Sequence, residues 1–321
     1  MINGELIDLV AGDYEARIAT SGATLVHLRR AGSDLVIPFD AEASLPEGWQ
    51  GKTLVPWPNR IVGARYAYRG QEYPVPCNEP ETGSALHGLV GWADFQVVAT
   101  SAGDDAVGDA PSSVALELTL PGSYAYPWSL QVDVRFALDA RAGLTVAATT
   151  TCLGAGAPAA PDAVGAPESD GLLAPAPYGV SFHPYLTRSV PLDECVLQVP
   201  AARVLDVDER MAPAAERDVA GTDWDWRAGR PVGTISTDNA YTGLPQGPWE
   251  VRLTGGEAGS TVVLSAEAPW VQVYTAEHLG RRGVAVEPMT CPPDAFNSGR
   301  DLVELEVGRS HSFSYSLRED D

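Results

Sequence analysis

Short segments in which apolar and polar residues alternate recur along almost the whole chain. Examples are SVALELTL from Ser113, LQVDVRFAL from Leu130 and LVELEV from Leu302. A period of two is typical of a strand with one buried face, and Gly and Pro, 32 and 26 of 321 residues, separate the segments. The pattern predicts an all-β fold, an antiparallel sandwich or barrel with few short helices.

Two local predictions accompany this fold. The segment YRGQEY predicts a hairpin whose turn includes Gly70, since glycine adopts positive φ without steric cost. Residues 154–177 are almost entirely Gly, Ala, Pro and acidic residues, which predicts an exposed loop. Because similar strand patterns lie on both sides of this loop, we expect residues 1–321 to form a single domain, and a linker between two domains is the alternative.

The charge balance excludes several partners. The chain carries 21 Lys and Arg against 43 Asp and Glu, a net charge of −22, so nucleic acid and anionic membrane surfaces would repel it. The N-terminal MINGELIDLV lacks the pattern of a secretory signal, and no run of eighteen apolar residues occurs, so we expect a cytoplasmic protein without a membrane partner.

No sequence motif indicates a cofactor. The four cysteines lie far apart without a CxxC pair, which predicts reduced, mostly buried thiols, neither a zinc site nor a disulfide framework. The five histidines show no metal-binding spacing, and neither a phosphate-binding loop nor a nucleophile elbow is present. A metal site would require distant residues to converge, and we expect none.

Polar groups with catalytic potential occur in three apolar or rigid segments. Glu287 follows an apolar run and precedes Pro288, where burial would raise the pKa of its carboxyl toward the range of a general base. His183 ends a predicted strand, and His87 precedes Gly88, which would permit a close backbone approach. Alternatives are a solvent-facing glutamate and structural histidines.

The order of the motifs is more specific than any one of them. Six segments follow one another in this order from Pro56 onward: PWPNRI, SALHGLVG, SFHPYL, TDNAYTGL, WVQVYT and VEPMTCPPDAFNSG. Together they resemble the aldose 1-epimerase (galactose mutarotase) family. The resemblance implies one large antiparallel β-sandwich, the galactose mutarotase-like supersandwich, with a sugar site in an open cleft. It also implies acid–base interconversion of the α and β anomers of a free aldohexose such as glucose or galactose.

The resemblance also assigns roles by position. It implies that Glu287 is the general base, His183 the general acid and His87 an assisting residue. The implied ligands of the sugar hydroxyls are Asn59, Arg60, Asp238 and Gln272. We expect the nearby carboxylate to keep His183 protonated, a small-molecule sugar as the partner, no cofactor, and a monomer or homodimer.

Three other functions stay open. A hexose-6-phosphate epimerase would need extra basic residues, for which Arg281 and Arg282 are candidates. A non-catalytic sugar-binding protein would need neither Glu287 nor the histidines. A glycosidase would need a second carboxylate about 5–9.5 Å from the first, such as Glu277 or Asp294. Three tryptophans near the motifs, Trp57, Trp92 and Trp270, could stack on a sugar or fill the core.

Overall fold

The computed structural model describes residues 2–103, 110–155, 174–255 and 259–320. Within these ranges the strands are β1 Leu6–Ala11, β2 Tyr14–Ala19, β3 Thr24–Arg30, β4 Ser33–Asp34, β5 Thr53–Leu54, β6 Arg60–Ile61, β7 Arg65–Tyr68, β8 Gln71–Pro74, β9 Ala85–Leu86, β10 Gln96–Ser101, β11 Ser113–Leu120, β12 Trp128–Asp139, β13 Gly143–Ala155, β14 Ala176–Tyr178, β15 Ser181–Phe182, β16 Tyr185–Leu186, β17 Val196–Gln198, β18 Arg203–Val207, β19 Pro213–Asp218, β20 Arg230–Pro231, β21 Asp238–Thr242, β22 Trp249–Thr254, β23 Thr261–Ala266, β24 Trp270–Tyr274, β25 Val284–Met289, β26 Val303–Leu305 and β27 Ser310–Asp320. The helices are α1, Ala295–Ser298, and four 3₁₀ turns at Glu47–Trp49, Val62–Ala64, Leu192–Glu194 and Glu277–Leu279.

Two large sheets form the body of the fold. One has nine strands in the order β10-β11-β12-β13-β27-β23-β22-β17-β20, and the other has eight, β19-β18-β21-β24-β25-β15-β5 with β16 on β25. A four-stranded sheet, β1 to β4, and three two-stranded pairs complete it. The strands of both large sheets pair antiparallel. The chain therefore has the predicted all-β fold, a large antiparallel sandwich.

Alternating burial places the hydrophobic core between the sheets. Along β12 buried positions alternate with more exposed ones, as a strand with one face on the core requires. The ring of Phe182 on β15 lies 6.0 Å from that of Phe313 and 4.9 Å from that of Tyr315, both on β27 of the other sheet. One large cluster of buried apolar side chains includes residues of both sheets, so the eight-stranded sheet has a core face and an outer face.

The local predictions have different outcomes. The hairpin is confirmed, since β7 pairs with β8 around Arg69 and Gly70, whose φ angles are 50° and 81°. The bounds of the long loop are wrong by two residues at each end, because β13 extends to Ala155 and β14 begins at Ala176. Residues 156–173 of that loop lie outside the described residues, and the single domain stays a prediction.

The four cysteines are free, and three of them are buried, as predicted. Among the described residues no helix is long and apolar enough to cross a bilayer.

Candidate active site

Three adjacent strands of the eight-stranded sheet bring distant polar residues to one face. Gln272 on β24 lies directly opposite Glu287 on β25, and Ala240 on β21 lies opposite Gln272. Asp238 is two residues from Ala240 and therefore shares its face. Val286, the residue before Glu287 on β25, lies on the opposite face and is buried in the core cluster. Every position of β25 is buried, because one face of the strand covers the core and the other forms the floor of the site.

His183 meets Glu287 at this floor. Its Nε2 lies 3.3 Å from Oε1 of Glu287, and the two side chains are only 5% and 3% exposed. The His183 amide donates to the carbonyl of Lys52, and its own carbonyl accepts from the amide of Gly51. The imidazole also stacks on the ring of Tyr185, with centroids 5.0 Å apart. Backbone and ring contacts therefore fix His183 beside the carboxyl group.

His87 is held by an exchange of hydrogen bonds with Asn59. The Asn59 amide donates to Nδ1 of His87 (3.1 Å), and the His87 amide donates to the carbonyl of Asn59 (2.8 Å). The next residue, Gly88, has φ 75°, and a Cβ there would clash with the carbonyl oxygen of Val55, which confirms the predicted close approach. Because Nδ1 accepts a hydrogen bond, neutral His87 carries its proton on Nε2.

Arg60 is oriented by a carboxylate that sequence analysis missed. Its Nε and Nη2 donate to the two carboxylate oxygens of Glu79, both at 2.7 Å, and the Thr82 hydroxyl also donates to Glu79. The side chains of Arg60 and Glu79 are 10% and 18% exposed. A bidentate pair of this kind fixes the plane of the guanidinium. The Gly- and Pro-rich segment around Glu79 offers no strand pattern that could have predicted this contact.

The assembled residues line a cavity of about 210 Å³. Six of the seven predicted site residues contribute to its wall, namely Asn59, Arg60, His87, His183, Asp238 and Glu287. The seventh, Gln272, does not line it but donates from Nε2 to Oδ1 of Asp238 at 2.6 Å. The wall also contains residues that the motifs did not single out: Gly48, Trp49, Glu79, Leu86, Tyr185, Tyr274 and His278.

Burial controls the protonation of the site. Burial, reinforced by the charge of Asp238 and opposed by Arg60, raises the pKa of the Glu287 carboxyl well above its ordinary value. Burial lowers the pKa of His183, and it lowers that of His87 together with the charges of His183 and Arg60. The expectation that Glu287 keeps His183 protonated is therefore wrong for the free pocket. Burial there disfavours the charged form of each group, the carboxylate of Glu287 and the imidazolium of His183.

The fold brings together three groups of the kind that bind metals. Ligand atoms of His87, His183 and Glu287 lie within 4.8 Å of one another, so distant residues do converge here. The hydrogen bond from the Asn59 amide nevertheless conflicts with metal binding. A histidine bound to a metal through Nε2 carries its proton on Nδ1 and donates it, whereas Nδ1 of His87 faces a second donor. The donor set therefore does not fit a metal ion.

Several other sequence candidates lie away from this cavity. Arg281 and Arg282 line a separate depression of about 660 Å³, where Arg281 pairs with Asp193 and Glu277. The carboxyl of Asp294 accepts from the amide of Val62 and does not line the cavity.

The three tryptophans near the motifs have different environments. Trp57 and Trp270 are buried, at 2% and 0% exposure, and belong to core clusters. Trp92 is 48% exposed, and its ring contacts that of Trp49 in the cavity wall. Core filling therefore accounts for the first two, whereas Trp92 stays available for contact with a ligand.

The model of one protein family, aldose 1-epimerase, matches residues 5–159 and 167–318. The chain belongs to the aldose 1-epimerase family. An uncharacterized protein of Escherichia coli (strain K12), YihR, is 38% identical over 316 residues, which span 98% of this chain and 93% of that protein.

Solved structures of related proteins share the fold. A putative aldose 1-epimerase from Escherichia coli K12 superposes with a TM-score of 0.78 at 21% identity, covering 98% of this chain and 99% of the other. Galactose 1-epimerase from Lactobacillus acidophilus also gives 0.78, at 16% identity, covering 96% and 92%. In both cases the shared fold covers nearly the whole of each chain.

Proposed function

We propose that the protein is a mutarotase that interconverts the α and β anomers of a free aldohexose. The observation that carries this proposal is the contact of 3.3 Å between His183 Nε2 and Glu287 Oε1, in the wall of a pocket that suits a single sugar ring. Both side chains are nearly excluded from water, so a bound sugar would supply the hydrogen-bond partners that solvent hardly offers to their free lone pairs and protons.

The reaction needs two proton transfers of opposite direction. A proton must leave the hydroxyl on C1 while another reaches the ring oxygen, which opens the ring to the aldehyde. Rotation about the C1–C2 bond followed by the reverse transfers closes the ring on the other face. We assign the removal of the C1 proton to Glu287 and the protonation of the ring oxygen to His183. Each positioned transfer typically contributes about 10²–10⁴ in rate.

The single proton shared by this pair suits a reversible reaction. A protonated Glu287 with a neutral His183 contains as many protons as a carboxylate with an imidazolium, so the two forms interconvert without exchange with solvent. Because the two groups are 3.3 Å apart, a small rearrangement transfers the proton between them. Their titration therefore belongs to the pair. Activity should fail when the pair gains a second proton or loses its only one.

The remaining polar groups would bind the sugar hydroxyls. Nε2–H of His87 is a fixed donor, because Nδ1 is engaged by Asn59. Arg60 is a donor whose guanidinium plane is fixed by Glu79. Asp238 is an acceptor. Gln272 would act by holding Asp238 through their hydrogen bond of 2.6 Å. Such a mixture of fixed donors and acceptors suits a neutral polyhydroxylated ring.

The charges of the pocket favour a free sugar over a sugar phosphate. Arg60 is already bonded twice to Glu79, and the carboxyl groups of Asp238 and Glu287 also face the pocket. A phosphate dianion would meet three acidic side chains, and the two arginines considered for it, Arg281 and Arg282, line the other depression.

Two further alternatives have less support. A non-catalytic binding protein has no use for a desolvated Glu287–His183 pair. Glu277 and Asp294, the second carboxylates considered for a glycosidase, do not line the pocket, and the two further carboxylates that do, Glu79 and Asp238, are hydrogen-bonded to Arg60 and Gln272.

Exchange between anomers, measured by NMR magnetisation transfer at equilibrium, tests the proposal. We expect the protein to accelerate exchange of glucose or galactose well above that of glucose 6-phosphate at equal concentration. A glycoside of the same sugar should release no reducing sugar. Faster exchange of the phosphate would favour the hexose-6-phosphate epimerase, and sugar binding without exchange would favour the non-catalytic alternative.

A further inference from the structure

A depression separate from the sugar pocket is lined by arginines. Its volume is about 660 Å³, against about 210 Å³ for the sugar pocket, and the two share no lining residue. Such a volume is within the roughly 300–1,000 Å³ of sites that bind small molecules. Arg188, Arg281 and Arg282 line the depression with one acidic residue, Asp34. In a chain with 43 Asp and Glu against 21 Lys and Arg, this wall has the reverse charge balance.

Arg282 is the charged group of this wall for which the described ranges contain no carboxylate partner. The ion pairs of the other charged groups are Arg188 with Glu319, Arg281 with Asp193 and Glu277, and Asp34 with Arg29. Nε of Arg282 donates to the carbonyl of Leu279 at 3.2 Å, and the carbonyl of Arg282 accepts from the Thr187 hydroxyl at 2.6 Å. These two bonds hold the residue, whereas its Nη1 and Nη2 donate to no group among the described residues. One uncompensated positive charge thus remains in the wall.

Arg188, in the same wall, has a buried donor without an acceptor. Its side chain is only 4% exposed, and its Nη2 lies 2.8 Å from Oε1 of Glu319 and also donates to the hydroxyl of Ser260. Its Nε donates to the carbonyl of Gly255 at 3.4 Å, but Nη1 has no hydrogen-bond partner. A buried donor left unpaired destabilises the folded state. A ligand that brings an acceptor into the depression would remove this cost.

The donors of the wall suit a phosphate group. Two exposed hydroxyl groups, those of Ser33 and Ser189, line the depression together with the arginines. A guanidinium binds phosphate or carboxylate oxygens in pairs. A carboxylate has two oxygens to accept from these donors, whereas a phosphate monoester has three and carries up to two negative charges. The number of donors therefore favours phosphate.

We propose that this depression is a binding site for a phosphorylated small molecule, whose phosphate group accepts hydrogen bonds from Arg282 and Arg188. Ser33 and Ser189 complete the set of donors. The net charge of −22 repels an anion at long range, but salt screens exposed charges beyond about 8 Å at physiological ionic strength, so the nearby arginines decide the binding. The inference is independent of the sugar reaction, because the two cavities have separate walls.

Isothermal titration calorimetry on the full chain tests the inference, with inorganic phosphate and adenosine monophosphate as probes. We expect wild-type protein to bind both with a Kd of about 1 mM or tighter. Arg282→Gln should raise Kd at least tenfold, and Arg282→Lys, which keeps the charge, should recover part of the loss. Saturating glucose should leave Kd unchanged, since it occupies the other cavity. Adenosine, which lacks the phosphate, should not bind.

A matched control is Arg65→Gln, which removes another exposed arginine for which the described residues provide no ion pair and which lies outside the depression. It should bind both probes as the wild type does. The inference is overturned if wild-type protein binds neither probe, if Arg282→Gln and Arg65→Gln weaken binding equally, or if glucose displaces phosphate. Acetate that binds as tightly as inorganic phosphate would overturn the assignment of a phosphate group.

Discussion

The substitution Glu79→Gln tests how the pocket holds its arginine. The carboxylate of Glu79 accepts two hydrogen bonds of 2.7 Å from Arg60, and the two side chains are only 18% and 10% exposed. Glutamine keeps one acceptor oxygen and loses the other together with the charge. A hydrogen bond to a charged group contributes about 1.5–3 kcal/mol. The lost bond therefore corresponds to a ceiling of about 10- to 150-fold in sugar affinity.

We expect the KM for glucose to rise about tenfold in Glu79→Gln while kcat changes little, because the role proposed for Arg60 is to bind the ring and not to transfer a proton. Arg60 lowers the pKa of Glu287, and without Glu79 its charge acts on Glu287 less compensated. The alkaline limb of the pH–rate profile should therefore move to lower pH. Progress curves by polarimetry over a range of sugar concentrations and pH measure both effects.

The matched control is Glu216→Gln. Glu216 is 17% exposed and also bonds two arginines, Arg203 at 2.5 Å and Arg300 at 2.6 Å, but it lies outside the pocket wall. This variant should keep the wild-type KM and pH profile. An unchanged KM in folded Glu79→Gln, or a loss confined to kcat, would refute the argument that Glu79 positions Arg60.

Three further predictions concern pH and stability. The pH–rate profile should be bell-shaped, with an acid limb below the ordinary histidine pKa of 6.5 and an alkaline limb above the ordinary glutamate pKa of 4.5, since burial lowers the pKa of His183 and raises that of Glu287; a single-limb profile would contradict a shared proton. Glu287→Gln should be more stable than wild type at pH 7, because a carboxyl whose pKa is raised by folding destabilises the folded state once it ionises in the unfolded chain. The cost is about 1.4 kcal/mol for each pH unit between the unfolded and the folded pKa. Denaturant titrations should show this gain in the free energy of unfolding disappearing as the pH falls below 4.5. Gly88→Ala should lower the free energy of unfolding by about 1–3 kcal/mol or more, through its positive φ and the clash with Val55. Gly70→Ala, with φ 81° and open space around the added Cβ, should lose only the part due to φ. Equal melting temperatures for the two variants would contradict the role of the close approach at Gly88.

Local patterns in the sequence predicted much of the fold. Period-two alternation identified the segment that forms β12, and Gly70 marked the hairpin, because both depend on neighbours in the chain. The strand order of the sheets could not be predicted in this way. The pairing of Gln272 with Glu287, for example, joins two segments whose partners are decided by packing of the whole sandwich.

In the site, too, some features could be predicted from the sequence and others depend on the assembled fold. Of the seven residues that the family motifs predicted, six line the pocket, and the seventh, Gln272, donates a hydrogen bond to Asp238 from outside it. The motifs missed Trp49 and His278, which enter the wall from 3₁₀ turns whose position depends on the rest of the fold. They also led to the wrong protonation of His183, because the extent of its burial is a property of the assembled structure.

The central claim is that Glu287 and His183 exchange protons with one hexose. Magnetisation-transfer NMR on Glu287→Gln and His183→Asn, at glucose concentrations that saturate the wild type, measures this most directly. We predict that each folded variant loses at least about 100-fold in catalysed anomer exchange, and that the double variant is scarcely worse than either single one, because the two groups act as a unit. A folded single variant that exchanges anomers at the wild-type rate would contradict the claim.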